Sequence, residues 1–114
     1  MAINVAFAGL AVAQLDAAIE WYERLLGRPA DMVPNDDEVT WELVEGGWIY
    51  VVRDPPRAGN ALLTLIVDDL DEQIATLAER GIETGEIEEA AGLFRRVALA
   101  DPAGNRITFA ETAR

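Results

Sequence analysis

The chain has 114 residues, a size that suits one domain, and its 51% hydrophobic content is enough to build a core, which excludes a disordered chain. Its formal net charge of −12, with 9 basic against 21 acidic residues scattered rather than striped, argues against a nucleic-acid partner, because phosphate binding needs clustered cations. Cysteine, histidine and lysine are all absent, which excludes disulfides, thiolate catalysis, zinc–thiolate sites and imidazole chemistry, and makes every basic side chain an arginine.

The opening residues Met1-Ala2-Ile3-Asn4-Val5 carry no basic run, and small and β-branched residues from about Asn4 to Val12 predict a strand. Leu15, Ile19, Tyr22 and Leu26 recur at helical spacing and predict a helix over 15–26, stopped at Gly27 with Pro29 beyond it. Met32-Val33 begins a short strand, interrupted by the turn-forming Pro34-Asn35-Asp36-Asp37. Val39 to Val44 and Trp48 to Val52 predict a hairpin through Glu45-Gly46-Gly47. Two prolines and a glycine mark a linker over 54–59. A strand from Ala61 to Val67 follows, then a helix from Asp69 to Arg80 with Leu70, Ile74 and Leu77 on one face and Gly81 at its end. Ile82 to Ile87 predicts a weak strand. Leu93 to Ala100 and Arg106 to Glu111 form a second hairpin around Asp101-Pro102-Ala103-Gly104-Asn105. No apolar stretch approaches the roughly 20 residues of a membrane span, so no membrane partner and a cytoplasmic location are expected.

The order of elements is stated twice. Leu10-Ala11-Val12-Ala13-Gln14-Leu15-Asp16-Ala17-Ala18-Ile19 returns as Leu65-Ile66-Val67-Asp68-Asp69-Leu70-Asp71-Glu72-Gln73-Ile74, 55 residues later, and each copy runs on to a glycine. Two copies are too few for a solenoid and predict two like modules about a pseudo-two-fold. The fold class is therefore α+β: one domain over 1–114, built from βαβββ modules at 1–53 and 60–114. Their sheets are expected to turn open faces toward each other as a curved mixed-sheet cup, with the helices outside.

The segment Leu10-Ala11-Val12…Leu15-Asp16…Ala18-Ile19-Glu20-Trp21-Tyr22…Leu25-Leu26-Gly27 resembles the opening of vicinal oxygen chelate proteins, the superfamily of glyoxalase I, bleomycin-resistance proteins, extradiol dioxygenases and fosfomycin-resistance enzymes. Val67-Asp68-Asp69-Leu70 is similar to the start of that superfamily's second module, and Asp101-Pro102-Ala103-Gly104-Asn105 to its closing turn. Metal-dependent members hold a cation with His and Glu at four inward strand positions. The resemblance places those positions at Phe7, Tyr50, Leu62 and Thr108, none of which supplies the carboxylate or imidazole that a divalent cation wants. No metal and no other cofactor is expected, and the enzymatic activity of the metal-dependent members is not implied. The resemblance also implies a homodimer with cups completed at the interface.

Strand alternation supplies the candidate site. If Leu10 and Val12 pack beneath the helix, Phe7, Gly9 and Ala11 face the cup, and the same parity turns Leu62, Thr64 and Ile66 inward. Trp48 and Tyr50 share one hairpin face, Arg106 and Thr108 one face of the last strand, and Arg96 points inward if Val97 and Leu99 point out. Trp41 lies in the adjacent strand, with Glu42 the one acid of the Asp36, Asp37, Glu38, Glu42 and Glu45 group placed within it. The candidate ligand-binding residues are thus Phe7, Trp41, Glu42, Trp48, Tyr50, Leu62, Thr64, Arg96, Arg106 and Thr108. Each has a structural alternative: Phe7 and Leu62 as space fillers, Trp48 and Tyr50 as cross-strand core pairs, Arg96 as partner of a structural carboxylate, the acids as a solvated loop. Trp21 and Tyr22 belong to helix packing.

These residues describe an apolar, aromatic-lined cup suited to a hydrophobic or aromatic small molecule, so a metal-independent small-molecule binder is the leading expectation. The acidic group also fits a cationic ligand, as in bleomycin-type binders. The alternatives are a divergent lyase or isomerase using Glu42, Glu111 or Tyr50 for acid–base chemistry, and a ligand-free regulatory or partner-binding module.

Overall fold

The computed structural model describes residues 2–113; Met1, named above in the opening segment, lies outside them. The chain forms strands β1 (Ala6–Val12), β2 (Met32–Asn35), β3 (Glu38–Val44), β4 (Gly47–Arg53), β5 (Leu62–Ile66), β6 (Glu88–Ala90), β7 (Phe94–Ala100) and β8 (Arg106–Thr112), with helices α1 (Leu15–Leu26) and α2 (Leu70–Glu79). Each module makes its own four-stranded mixed sheet, β1-β4-β3-β2 and β5-β8-β7-β6, in which the first strand runs parallel to its neighbour and the other pairings are antiparallel.

The register makes the internal repeat a geometric one. Phe7 pairs with Trp48 and Gly9 with Tyr50 in the first sheet. Leu62 pairs with Arg106 and Thr64 with Thr108 in the second. Phe7 and Leu62, Trp48 and Arg106, and Tyr50 and Thr108 are therefore equivalent places in the two modules.

Alternation decides which face each helix covers. Leu10, Val12, Val39, Trp41, Ile49 and Val51 are buried beneath α1, and Val97, Leu99, Ile107 and Phe109 are buried in the second module. The α1 stripe is centred on Ala18, Trp21, Tyr22 and Leu25, with Leu15, Ile19 and Leu26 at its margins. Gly27, at φ 76°, ends the helix and donates its N–H to the Glu23 carbonyl at 2.8 Å. In α2, the Asp69 carboxylate caps the first turn through the Glu72 N–H at 3.0 Å.

One core runs through both modules, and a polar joint ties them at one end. The Tyr22 hydroxyl donates to Asp101 Oδ2 at 2.7 Å, and Asn105 Nδ2 donates to that same oxygen and to the Ala11 carbonyl, each at 2.8 Å. The linker is packed here too: a 3-10 turn over Pro55–Arg57 leads to Gly59, whose N–H reaches the Ala11 carbonyl at 3.3 Å.

Two expectations change. The short second strand continues through Pro34 and Asn35, which a strand at the outer edge of its sheet tolerates because no ladder donor is needed there. The strand expected over 82–87 is irregular, with Ile82 buried in the core; the edge strand is instead 88–90, where Glu88 and Glu89 stand opposite Arg96 and Arg95. The open sheet faces leave Phe7 50% and Leu62 82% exposed.

Candidate functional site

Phe7 and Trp48 are stacked on the open face of the first sheet, with ring centroids 5.4 Å apart and planes 19° from parallel. Next to them Tyr50 lies flat over Gly9: a Cβ at Gly9 would fall 2.5 Å from the Tyr50 ring, so only glycine lets that ring settle on the strand. The result is a floor of three aromatic side chains, none of them fully buried. Glu42 stands at its edge, opposite Trp48, but its carboxylate accepts the Gly46 N–H at 3.1 Å and holds the hairpin turn.

Trp41 does not belong to this face. It is fully buried on the helix side, 6.0 Å from the Tyr22 ring, and its indole N–H donates to the Arg28 carbonyl at 3.1 Å. Strand parity is the reason: Trp41 is one residue from Thr40 and Glu42, and so points the opposite way.

The equivalent face of the second module is aliphatic and cationic. Leu62, Thr64, Arg96, Arg106 and Thr108 line a hollow of about 220 Å3 together with Ala98. Arg96 pairs with Glu88 at 3.2 Å and lies 4.9 Å over the Phe94 ring. Its neighbour Arg95 points to the helix side, bonding Asp71 at 3.1 Å and thereby holding the Asp71 carboxyl below its usual range. Glu111 is likewise structural, accepting the Leu70 N–H at 3.0 Å.

Between the modules, away from the polar joint, a crevice of about 600 Å3 opens at the seam of β1 and β5. Phe7 and Trp48 reach it from the first module, Thr64 and Ile66 from the second. Among the described residues no charged side chain lines it, and Thr64 and Gln73 line it with polar side chains. The structure thus brings Phe7, Trp48 and Thr64 together, while Arg96, Arg106, Leu62 and Thr108 stay in the hollow of the second module.

Sequence reasoning missed Gln73 and Leu43 as crevice residues. The repeat carried a signal for Gln73, a polar residue where the first copy has Ala18, and the helical pattern absorbed it.

The chain matches the glyoxalase-like domain over residues 5–110. It belongs to the glyoxalase-like family. Among solved structures, this glyoxalase-like chain is similar to a glyoxalase/bleomycin resistance protein from Catenulispora acidiphila DSM 44928, at 42% identity over 94% of this chain and 96% of that one, with a TM-score of 0.88. It shares its fold with TnmS3, an antibiotic binding protein from Streptomyces sp. CB03234, at 24% identity over 99% of both chains and a TM-score of 0.79. A lactoylglutathione lyase from Agrobacterium tumefaciens has the same fold at 18% identity, covering 94% of this chain and 92% of that one, with a TM-score of 0.76. No curated protein matches significantly.

The metal that many such proteins bind does not fit the residues present. Phe7, Leu62, Tyr50 and Thr108 offer two hydrocarbons, a phenol and a hydroxyl, and among the described residues no three Asp or Glu side chains cluster to replace them. Nor is any described helix long and apolar enough to cross a membrane.

Proposed function

We propose that this glyoxalase-like protein is a metal-independent binder of a hydrophobic or aromatic small molecule. The observation that carries the reading is the stacked Phe7–Trp48 pair, with Phe7 half exposed, lining a 600 Å3 crevice that no charged side chain among the described residues enters. That volume is the usual size for a small-molecule site, and a preformed ring pair offers a flat apolar ligand a stacking surface with little side-chain entropy left to lose. The fold is shared with an antibiotic binding protein, which supports the same use of the scaffold here.

A homodimer completes the site in this reading. Phe7, Leu62 and Ile66 leave apolar side chains exposed on the open sheet faces, a surface that a second copy would cover. Equivalent places on the two open faces also complement each other: Glu38 and Trp48 on the first stand where Arg96 and Arg106 do on the second. The aromatic face of one copy would close over the cationic face of another, with the ligand between them.

Intrinsic fluorescence tests the binding. Trp21 and Trp41 are buried, so saturable quenching by neutral polycyclic aromatics is expected to come from Trp48 and to vanish in Trp48→Phe. Quenching that persists in that variant, or none at all across such compounds, counts against the reading. Light scattering at micromolar concentration tests the assembly, with twice the chain mass expected.

A further inference from the structure

We propose that the hollow on the open face of the second module is a carboxylate site, with Arg106 as its principal cation, which seats the acidic end of an otherwise apolar ligand. It rests on the small-molecule reading above and adds the charge that the ligand carries.

The hollow is made by size. Ala98 stands opposite Thr108, and Thr64 stands beside Thr108 on the other side, so three short side chains form a floor between two long ones, Arg96 and Arg106. Among the described residues no carboxylate lines it. The Thr64 and Thr108 hydroxyls are donors on the floor, and Leu62, 82% exposed, supplies an apolar flank for the body of the ligand.

Arg106 is the decisive residue. In a chain of 21 acidic and 9 basic residues, an arginine should easily find a carboxylate, and most do. Arg28, Arg53, Arg57, Arg95 and Arg96 pair with acids, and Arg80 donates to the Leu25 carbonyl at 3.1 Å. Arg24, in the last turn of α1, sits where the helix dipole favours a cation. Arg106 stands on a sheet, and its guanidinium has no acceptor among the described residues. Its planar fork matches a carboxylate through two parallel hydrogen bonds. Arg96, steadied by Glu88 and the Phe94 ring, guards the opposite rim.

The test follows the arginine Nε–Hε resonances during titration with naphthalene-2-carboxylate and, separately, naphthalene-2-methanol. The carboxylate is expected to shift Arg106 saturably, with Arg96 second. In Arg106→Met, which removes no intramolecular bond, its affinity should fall about three- to tenfold while that of the alcohol holds. An unshifted Arg106, or equal affinities for the carboxylate in both proteins, overturns the site. If the alcohol quenches Trp48 while the carboxylate leaves Arg106 unmoved, the carboxylate site fails and the aromatic binder stands. If the carboxylate shifts Arg106 and the alcohol binds nowhere, the site stands and the neutral-ligand reading falls.

Discussion

The Tyr22 hydroxyl and the Asp101 carboxylate meet at 2.7 Å across 79 positions of sequence, joining the helix of the first module to the last turn of the second. The repeat-related place has no such bond to make. Leu43 and Gly47 stand where Asp101 and Asn105 stand in the other copy, as the matched pairings of Phe7 with Trp48 and of Leu62 with Arg106 require. Two polar residues thus zip one end of the pseudo-two-fold seam. Their apolar counterparts leave the other end as the crevice, so the asymmetry of the joint and the position of the candidate site have a single cause.

The joint should behave as one unit. Asn105→Ala strips partners from the Ala11 carbonyl and the Ala61 N–H and is expected to cost about 2–4 kcal/mol; Tyr22→Phe removes one buried bond and should cost about 1–3 kcal/mol. Because both side chains bond Asp101 Oδ2, the double variant should lose less than the two losses added together, by at least about 0.5 kcal/mol. Urea denaturation of the four proteins measures this, and strict additivity would show the bonds to be independent.

Stability should fall in alkali through Tyr22. Burial, and after it the hydrogen bond to Asp101 and its negative charge, raise the phenol well above its ordinary 10.0. Above pH 10 the unfolded chain therefore releases this proton while the folded chain keeps it. The contribution is complete below pH 10 and drains away as pH rises, by up to about 1.4 kcal/mol per pH unit. The chain has no lysine or cysteine, and its other tyrosine, Tyr50, is common to both proteins. The stability of Tyr22→Phe should decline less steeply from pH 10 to 11.5, and parallel declines would refute the assignment.

Two glycine substitutions should separate site from scaffold. Gly46 has φ 76° and would press a Cβ into the Asn4 carbonyl, so Gly46→Ala should lower stability by about 1–3 kcal/mol. A Cβ at Gly9 meets instead the far end of the Tyr50 ring, which can swing away from the sheet. Gly9→Ala should therefore cost under about 1 kcal/mol in thermal melts while changing the near-ultraviolet dichroism of Tyr50 and weakening aromatic ligands. A large loss of stability would place Tyr50 in the core.

Much of this was legible beforehand because alternation and repetition are local signals. Phe7 and Leu62 at equivalent places, Leu10 and Val12 beneath the helix, and Arg95 and Arg96 on opposite faces all follow from a period of two. Trp41 could be placed only through its neighbours: strand parity gives its face once the hairpin register is known, and a bulge between Glu42 and Val44 obscured that register. The strand at 88–90 was equally hidden, since its pairing depends on Arg95 and Arg96 coming alongside.

The sequence by itself determined the βαβββ repeat, the sheet faces and the absence of metal-donor chemistry at Phe7, Tyr50, Leu62 and Thr108, because each depends on residue type and short-range spacing. Tertiary structure alone decided that Asn105 reaches Ala11 across 94 positions, that the seam opens beside Phe7 and Trp48, and that Arg106 has no acceptor among the described residues. Those are matters of which distant surfaces meet. Hydrogen bonding and burial between modules depend on the docked geometry, which no local period encodes.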